Sequence, residues 1–125
     1  MRLLLAFACM NGFKLFQVDV KSAFLNGLVN KEIFVSQALG FQEHLYPNHV
    51  YKLKRALYGL KQAPRQWYKM LSSFLLSNHY EKGKIHKTLF IKNSNYVVIL
   101  VQIYVNDITF GSSNDKLCEK FVTTM

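Results

Sequence analysis

Acidic residues and proline are both scarce in this 125-residue sequence. It has 7 aspartates and glutamates against 16 lysines and arginines, and only 2 prolines. The formal net charge is therefore +9 with histidine neutral. A positive surface attracts the phosphate backbone of nucleic acids without reading their sequence, although many basic domains bind none. The shortage of acidic residues leaves a nucleic-acid partner and a merely soluble basic domain as two open interpretations.

Cysteine is equally scarce, and no apolar run is long. Cys9 and Cys118 match no metal-binding spacing and indicate free thiols, not a disulfide framework. The longest apolar stretch, residues 96–105, is far short of the ~20 residues that cross a bilayer. It is interrupted by Gln102 and rich in β-branched residues, which is typical of a buried strand. The sequence therefore predicts no membrane span and an intracellular location.

The first nine residues have some features of a secretory signal. Arg2 precedes an apolar run that ends in Ala6-Phe7-Ala8-Cys9, where a small-residue cleavage site could lie. The run is at the short end for a signal, however. Its leucine and alanine content is equally typical of a helix, which Asn11-Gly12 would end. The helix is the favoured interpretation, and a small secreted protein remains an alternative.

Apolar residues make up 50% of the sequence and charged residues 18%, a balance that suits a packed core and not a disordered tail. Their spacing predicts both strands and helices. Strands are predicted over residues 13–20, 32–36, 50–53, 88–92, 96–105 and 108–110, with a turn at Asn93-Ser94-Asn95; helices are predicted over 2–10, after Pro64 and after Asn114. This pattern predicts the α+β class, with a small antiparallel sheet and helices packed on one face.

The helix after Pro64 is predicted to be amphipathic. Proline fits the first helical turn because its missing N–H has no partner there. Apolar residues follow at spacings of three and four, which would place them on one core-facing stripe. They are Trp67, Met70, Leu71, Phe74 and Leu75.

Two aspartates are predicted at strand ends. Asp19 closes the strand over 13–20, and Asp107 is placed at the tip of a hairpin. Carboxylates at neighbouring strand ends can converge on Mg²⁺, and two ions about 3.5–4 Å apart can activate a 3′-hydroxyl and stabilise a leaving pyrophosphate. Asn106-Asp107 is also good chemistry for a two-residue hairpin turn. The residues alone leave metal catalysis and a plain turn both open.

Four segments, in order, resemble the copia-type reverse transcriptases of retrotransposons. Gln17–Gly27 is similar to the first catalytic motif, and Leu57–Trp67 to the motif that follows it. Lys87–Phe90 and Val101–Gly111 complete the series, and the resemblance covers nearly the whole chain. It implies a fold and partners: the fingers and palm of an RNA-directed DNA polymerase, an RNA/DNA primer–template, and deoxynucleoside triphosphates. It also implies that residues 1–125 are one partial domain, without the thumb, the RNase H domain or the rest of the Pol polyprotein.

The same resemblance implies roles for individual residues. Asp19 and Asp107 would bind Mg²⁺ in a two-ion site, and position 106 would complete the catalytic set. Val20 would lie beside the incoming triphosphate, and the ring of Phe24 would exclude a ribose 2′-hydroxyl. Gln62 would lie near the sugar and the nascent base pair, and Tyr104 would belong to the catalytic hairpin. Lys61 and Arg65 would bind the nucleic-acid backbone.

Asn106 departs from the family pattern, which is Tyr-Val-Asp-Asp where this chain has Tyr104-Val105-Asn106-Asp107. The amide keeps the shape of the side chain and offers one neutral oxygen, but it removes a negative charge from the residue expected to bridge both ions. Disturbing a mere supporting partner of a metal site costs about 10–100-fold, so loss of a bridging carboxylate should cost more. The chain is therefore expected to be inactive or nearly so, also for want of a thumb.

A noncatalytic nucleic-acid-binding remnant is the alternative function. Basic residues cluster in the middle of the sequence and could face phosphates, or could form an ordinary solvated surface. They are Lys52, Lys54, Arg55, Lys61, Arg65 and Lys69.

Overall fold

The computed structural model describes residues 2–94 and 96–125. Met1 of the signal-like segment and Asn95 of the predicted turn lie outside the described residues. The elements, in chain order, are α1 (Arg2–Met10), β1 (Lys14–Asp19), a 3₁₀ turn (Ala23–Asn26), β2 (Phe34–Ser36), β3 (Val50–Lys52), α2 (Ala63–Ser77), β4 (Glu81–Lys82), β5 (Leu89–Ser94), β6 (Val97–Tyr104), β7 (Asp107–Ser112) and α3 (Asp115–Thr124). The predicted α+β class is confirmed.

The chain divides into two compact units. Unit 1 comprises the chain up to Lys21 together with Leu71–Met125, and unit 2 comprises Ser22–Met70. Unit 1 contains a sheet with the strand order β1-β7-β6-β5-β4, in which all neighbouring strands are antiparallel. Unit 2 contains the antiparallel pair β2-β3. The central strand of the larger sheet is β6, which has the most apolar sequence of its five strands.

The core of unit 1 lies on one face of its sheet. Alternate residues of the central strands point to this face, and each large apolar side chain buried there stabilises the fold by roughly 1.5–3 kcal/mol. The large apolar residues buried on this face are Phe90, Ile99, Val101, Ile103, Ile108 and Phe110. Helix α3 packs on the same face, where the rings of Phe110 and Phe121 lie 4.6 Å apart.

The helices do not all share that face, so the prediction of helices on one face is wrong. Strand residues alternate between faces, and Leu89, Ile91 and Leu100 therefore point away from Phe90 and Ile99. Leu89, Ile91 and Leu100 line a cavity together with residues of α1. Both faces of the sheet carry apolar side chains that can pack against a helix, because β6 is apolar at nearly every position and β5 begins with three consecutive apolar residues.

The stripe predicted on α2 is confirmed only in part. Trp67, Leu71 and Leu75 are buried, whereas Met70 is 39% exposed and Phe74 is half-buried. Pro64 lies in the first turn, as predicted. The predicted strands are all present, with ends shifted by one or two residues, and the two-residue strand β4 was not predicted.

Unit 2 has a small core and a long loop that one buried side chain organises. The apolar core members are Ala23, Ala56, Ala63 and Trp67. The Gln37 Nε2 donates to the carbonyls of Tyr46 and His49 at 2.8 and 2.9 Å, and its Oε1 accepts from the Glu43 N–H at 2.6 Å.

Candidate active site at the ends of β1 and β7

The antiparallel register of β1 and β7 places Asp19 directly opposite Asp107. The next pair carries the backbone hydrogen bond, since the Val20 N–H donates to the Asn106 carbonyl at 3.0 Å. Asp19 and Asp107 therefore form the kind of antiparallel pair that lacks direct backbone bonds, in which opposed Cα atoms are about 4.5 Å apart and the side chains are close. The structure thus brings together the three residues that the sequence proposed as a catalytic set.

The hairpin between β6 and β7 turns one residue earlier than predicted. Tyr104 pairs with Asp107, so Val105 and Asn106 form the two-residue loop. The prediction that Asp107 lies at the hairpin tip, with Asn106-Asp107 as the turn, is wrong. Val105 has a φ of +57°, a left-handed value that a β-branched residue adopts only under strain. Asp107 instead opens β7, held between Asp19 on one side and Tyr104 on the other.

Each of the two carboxylates accepts a hydrogen bond from a neutral amide. The Asn106 Nδ2 donates to the Asp19 Oδ1. The Gln17 Nε2 donates to the Asp107 Oδ1 at 3.3 Å. Sequence reasoning missed Gln17, although its position two residues before Asp19 on one strand places both side chains on the same face.

These donors do not fit a site for two magnesium ions. An ionised carboxylate only accepts hydrogen bonds, so Asn106 turns its NH₂ group toward Asp19 and its carbonyl oxygen away. The carboxylates of Asp19 and Asp107 are then left to balance the charges of two divalent ions, and each already accepts a hydrogen bond from an amide. Across residues 2–94 and 96–125, no group of three or more His, Cys, Asp or Glu side chains is placed to hold a metal ion.

Gly111 allows β1 to approach β7 closely. A Cβ at this position would lie 2.5 Å from both the Leu15 Cδ2 and the Lys14 carbonyl oxygen. Such a contact is too short for any side chain, so the strand separation near the acidic pair depends on a glycine here.

Two of the proposed substrate-binding residues also lie in unit 1. Tyr104 ends β6 with 68% of its side chain exposed. Val20 is half-buried, and its backbone N–H is already bonded to the Asn106 carbonyl. That N–H is therefore not free to donate to a triphosphate, whereas the Tyr104 side chain is accessible.

The other proposed binding residues belong to unit 2. Phe24 lies in the 3₁₀ turn, half-buried, with its ring centre 5.2 Å from that of Tyr58. Gln62 precedes α2, and its carbonyl accepts from the Gln66 N–H at 3.0 Å. Lys61 and Arg65 are exposed at the start of this helix.

A family model described as reverse transcriptase (RNA-dependent DNA polymerase) matches residues 1–125. The chain belongs to the reverse transcriptase family. Its relatives are Pol polyproteins of copia-type transposons, as the resemblance of the four motifs predicted.

Three relatives illustrate the range of similarity to this reverse transcriptase chain. The Retrovirus-related Pol polyprotein from transposon RE1 of Arabidopsis thaliana is 35% identical over 116 residues, 93% of this chain and 8% of that protein. The Pol polyprotein from transposon TNT 1-94 of Nicotiana tabacum is 36% identical over 122 residues, 95% of this chain and 9% of that protein. The Truncated transposon Ty1-A Gag-Pol polyprotein of Saccharomyces cerevisiae is 28% identical over 123 residues, 97% of this chain and 10% of that protein.

The chain thus spans a tenth or less of the length of these three relatives. A comparison with the solved structures found no match. Among the described residues, no helix has the length and apolar character needed to cross a membrane.

Proposed function

We propose that this chain is the fingers and palm portion of an RNA-directed DNA polymerase whose catalytic site is disabled. Membership of the reverse transcriptase family supports the polymerase origin. The antiparallel sheet that bears Asp19 and Asp107 on adjacent strands supports the assignment of unit 1 to the palm. The disabling residue is Asn106.

One observation carries the proposed loss of activity: the Asn106 amide donates to Asp19. A two-ion mechanism of nucleotidyl transfer needs anionic oxygens that face both ions. Asn106 supplies a neutral group at this place and presents hydrogen atoms to the carboxylate that remains. Asp19 and Asp107 are therefore proposed to be the remnant of a magnesium site, too weakly charged to hold the two ions of the family.

The substrate-binding residues are proposed to keep their family positions. Phe24 would present its ring edge to the sugar of an incoming nucleotide, and the Gln62 amide would hydrogen-bond the sugar. Tyr104 would contact the primer end through its exposed ring, with the backbone around Val20 nearby. Lys61 and Arg65 would bind phosphates of an RNA/DNA primer–template.

Primer extension on a poly-ribonucleotide template with Mg²⁺ or Mn²⁺ tests the proposal. The chain as it stands is expected to give no product, and Asn106→Asp is expected to restore synthesis only in part, because the third carboxylate returns to the site. Asp19→Asn in the Asn106→Asp background is the control, and it should abolish whatever activity returns. Robust synthesis by the unaltered chain would show that Asn106 does not disable the site.

A noncatalytic nucleic-acid-binding role is the second candidate, and the charge of unit 2 favours it. Ser22–Met70 carries seven lysines and arginines against two glutamates, a net charge of +5. Lys61, two residues before α2, and Arg65, in the first turn of α2, are both exposed. Trp67 is buried and is not available to stack on bases, so this binding would depend on phosphates.

Filter binding at two salt concentrations tests this second candidate. Replacing both Lys61 and Arg65 by alanine is expected to lower the slope of log affinity against log salt by about 1–2, because each phosphate contact contributes about 0.7–0.9. The matched control replaces Lys116 and Lys120, two exposed lysines of α3, and should leave the slope nearly unchanged. No binding of the unaltered chain at low salt would eliminate this function.

A further inference from the structure

The acidic end of the unit 1 sheet is satisfied by groups of the chain itself. Asp19 accepts from the Asn106 amide, and Asp107 accepts from the Gln17 amide at 3.3 Å. The two carboxylates lie on opposed residues of adjacent strands, at the separation where like charges repel. A bound cation can relieve such repulsion. In this chain each carboxylate accepts a hydrogen bond from a neutral amide.

Amide donors can do part of the work of a cation. A hydrogen bond to an ionised acceptor is shorter and about twice as strong as one between neutral groups. The Asn106 amide is also well placed, because its backbone carbonyl is bonded to the Val20 N–H at 3.0 Å. The turn residue is thus bonded twice at the end of β1, to Val20 through its backbone and to Asp19 through its side chain.

We infer that the Asn106 amide replaces a divalent cation at this end of the sheet, so that the folded chain is stable without metal and gains no stability from it. This inference goes beyond the proposed function, because it concerns the folded state and holds whether or not the chain polymerises anything.

An aspartate at position 106 would reverse this arrangement. It would place a third carboxylate beside Asp19 and Asp107 and would remove the donor that Asp19 now uses. The repulsion among three like charges would weaken the pairing of β1 with β7 until a divalent ion screened it. Stability would therefore become dependent on metal.

Thermal unfolding of the 125-residue chain in EDTA, Mg²⁺ or Mn²⁺ tests the inference, with KCl at matched ionic strength as the screening control. The Tm of the unaltered chain is expected to be the same in all conditions. Asn106→Asp should lower the Tm in EDTA by about 4 °C or more, and Mg²⁺ or Mn²⁺ should restore it. Asn106→Ala should also lower the Tm, because Asp19 loses its donor, but without any restoration by metal.

Two results would overturn the inference. One is a rise of several degrees in the Tm of the unaltered chain with Mg²⁺ or Mn²⁺ but not with KCl. The other is an Asn106→Ala variant as stable in EDTA as the unaltered chain. If Asn106→Asp fails to fold, the inference is tested by titrating the unaltered chain with Mn²⁺ and measuring binding by electron paramagnetic resonance. The absence of saturable binding would support the inference, and a tight Mn²⁺ site would refute it. These measurements do not involve synthesis, so their outcome is separate from that of primer extension.

Discussion

Val105 is the residue at which the hairpin between β6 and β7 stores backbone strain. Its φ of +57° belongs to a region that β-branched side chains rarely adopt, at a cost of order 1–3 kcal/mol. The two-residue loop Val105-Asn106 requires this conformation because Tyr104 is paired with Asp107. A glycine in the first loop position would fit the same turn without strain.

Val105→Gly is therefore expected to stabilise unit 1. The free energy of unfolding should rise by about 1 kcal/mol. Relief of the strain stabilises the folded chain, and the greater conformational entropy that glycine gives the unfolded chain offsets part of this gain. Urea unfolding measures the change as a higher midpoint. Val105→Ala is the matched control, because alanine keeps a Cβ in the left-handed region and should gain much less. A Gly variant no more stable than the Ala variant would show that φ at this position costs little.

Tyr80 gives unit 1 a specific sensitivity to alkali. Burial, assisted by the negative charge of the Cys118 thiolate, raises the pKa of Tyr80 from 10.0 to about 12. Below pH 10 the phenol is protonated in both the folded and the unfolded chain. Between the two values the unfolded chain has lost the proton and the folded chain has kept it, so the free energy of unfolding falls as pH rises, by about 2 kcal/mol in all.

Urea unfolding between pH 9 and 12 checks this, with Tyr80→Phe as the control because phenylalanine keeps the ring and cannot titrate. The difference in stability between the two proteins should be constant below about pH 10 and should shift by about 2 kcal/mol toward the Phe variant by about pH 12. A difference that does not change with pH would mean that the buried phenol ionises as readily as an exposed one.

The acidic pair could be predicted from sequence, and the turn beside it could not. Asp19 is the last residue of β1 and Asp107 the first of β7, and both adjoin segments with alternating apolar residues, so their placement near strand ends was accessible to pattern reasoning. The position of the turn depended on which residue accepts a left-handed backbone. Local preference favours Asn106-Asp107, but pairing of Tyr104 with Asp107 places the strain on Val105. Sheet register overrode the local preference.

At the scale of the element, α2 shows how burial departs from an ideal stripe. Leu75 is 0% exposed, whereas its neighbour Leu76 is 48% exposed and Met70, one turn earlier on the predicted stripe, is 39% exposed. Spacing predicts which side of a helix is apolar, but the extent of the surface packed against it decides which apolar residues are covered. That surface is not encoded in the helix itself.

Leu75→Ala and Leu76→Ala form a matched pair on this helix. The first should lower the free energy of unfolding by about 2–5 kcal/mol through lost burial and a residual cavity. The second makes the same chemical change at a half-exposed position and should cost less than about 1 kcal/mol. Chemical denaturation followed by circular dichroism measures both. Equal costs would contradict the burial assigned to α2.

At the scale of the whole molecule, the two units differ in how much large apolar surface they bury. Unit 1 buries phenylalanine and branched side chains on its central strands, whereas the apolar core of unit 2 consists of three alanines and Trp67. Both residues at the ends of β2, and every residue of β3, are exposed. The sequence gives no sign of the division, since no linker rich in proline or glycine separates the units and one boundary falls inside α2.

Hydrogen exchange is expected to show this difference directly. Amides of β6 and β7 should exchange only through opening of the whole unit, while those of β2 and β3 should exchange at least about 100-fold faster through local opening. Mass spectrometry of peptides covering 97–112 and 34–52 measures both rates. Equal protection of the two regions would contradict the small core assigned to unit 2.

Gly111 has a consequence for the acidic pair although it bears no functional group. Because a methyl group there would strike Leu15 and the Lys14 carbonyl, any larger residue must push β1 outward. Asp19 travels with β1 and Asp107 stays with β7, so the gap between the two acids widens with the strands. The spacing of the charges is thus fixed from a position four residues away along β7, by the absence of a side chain.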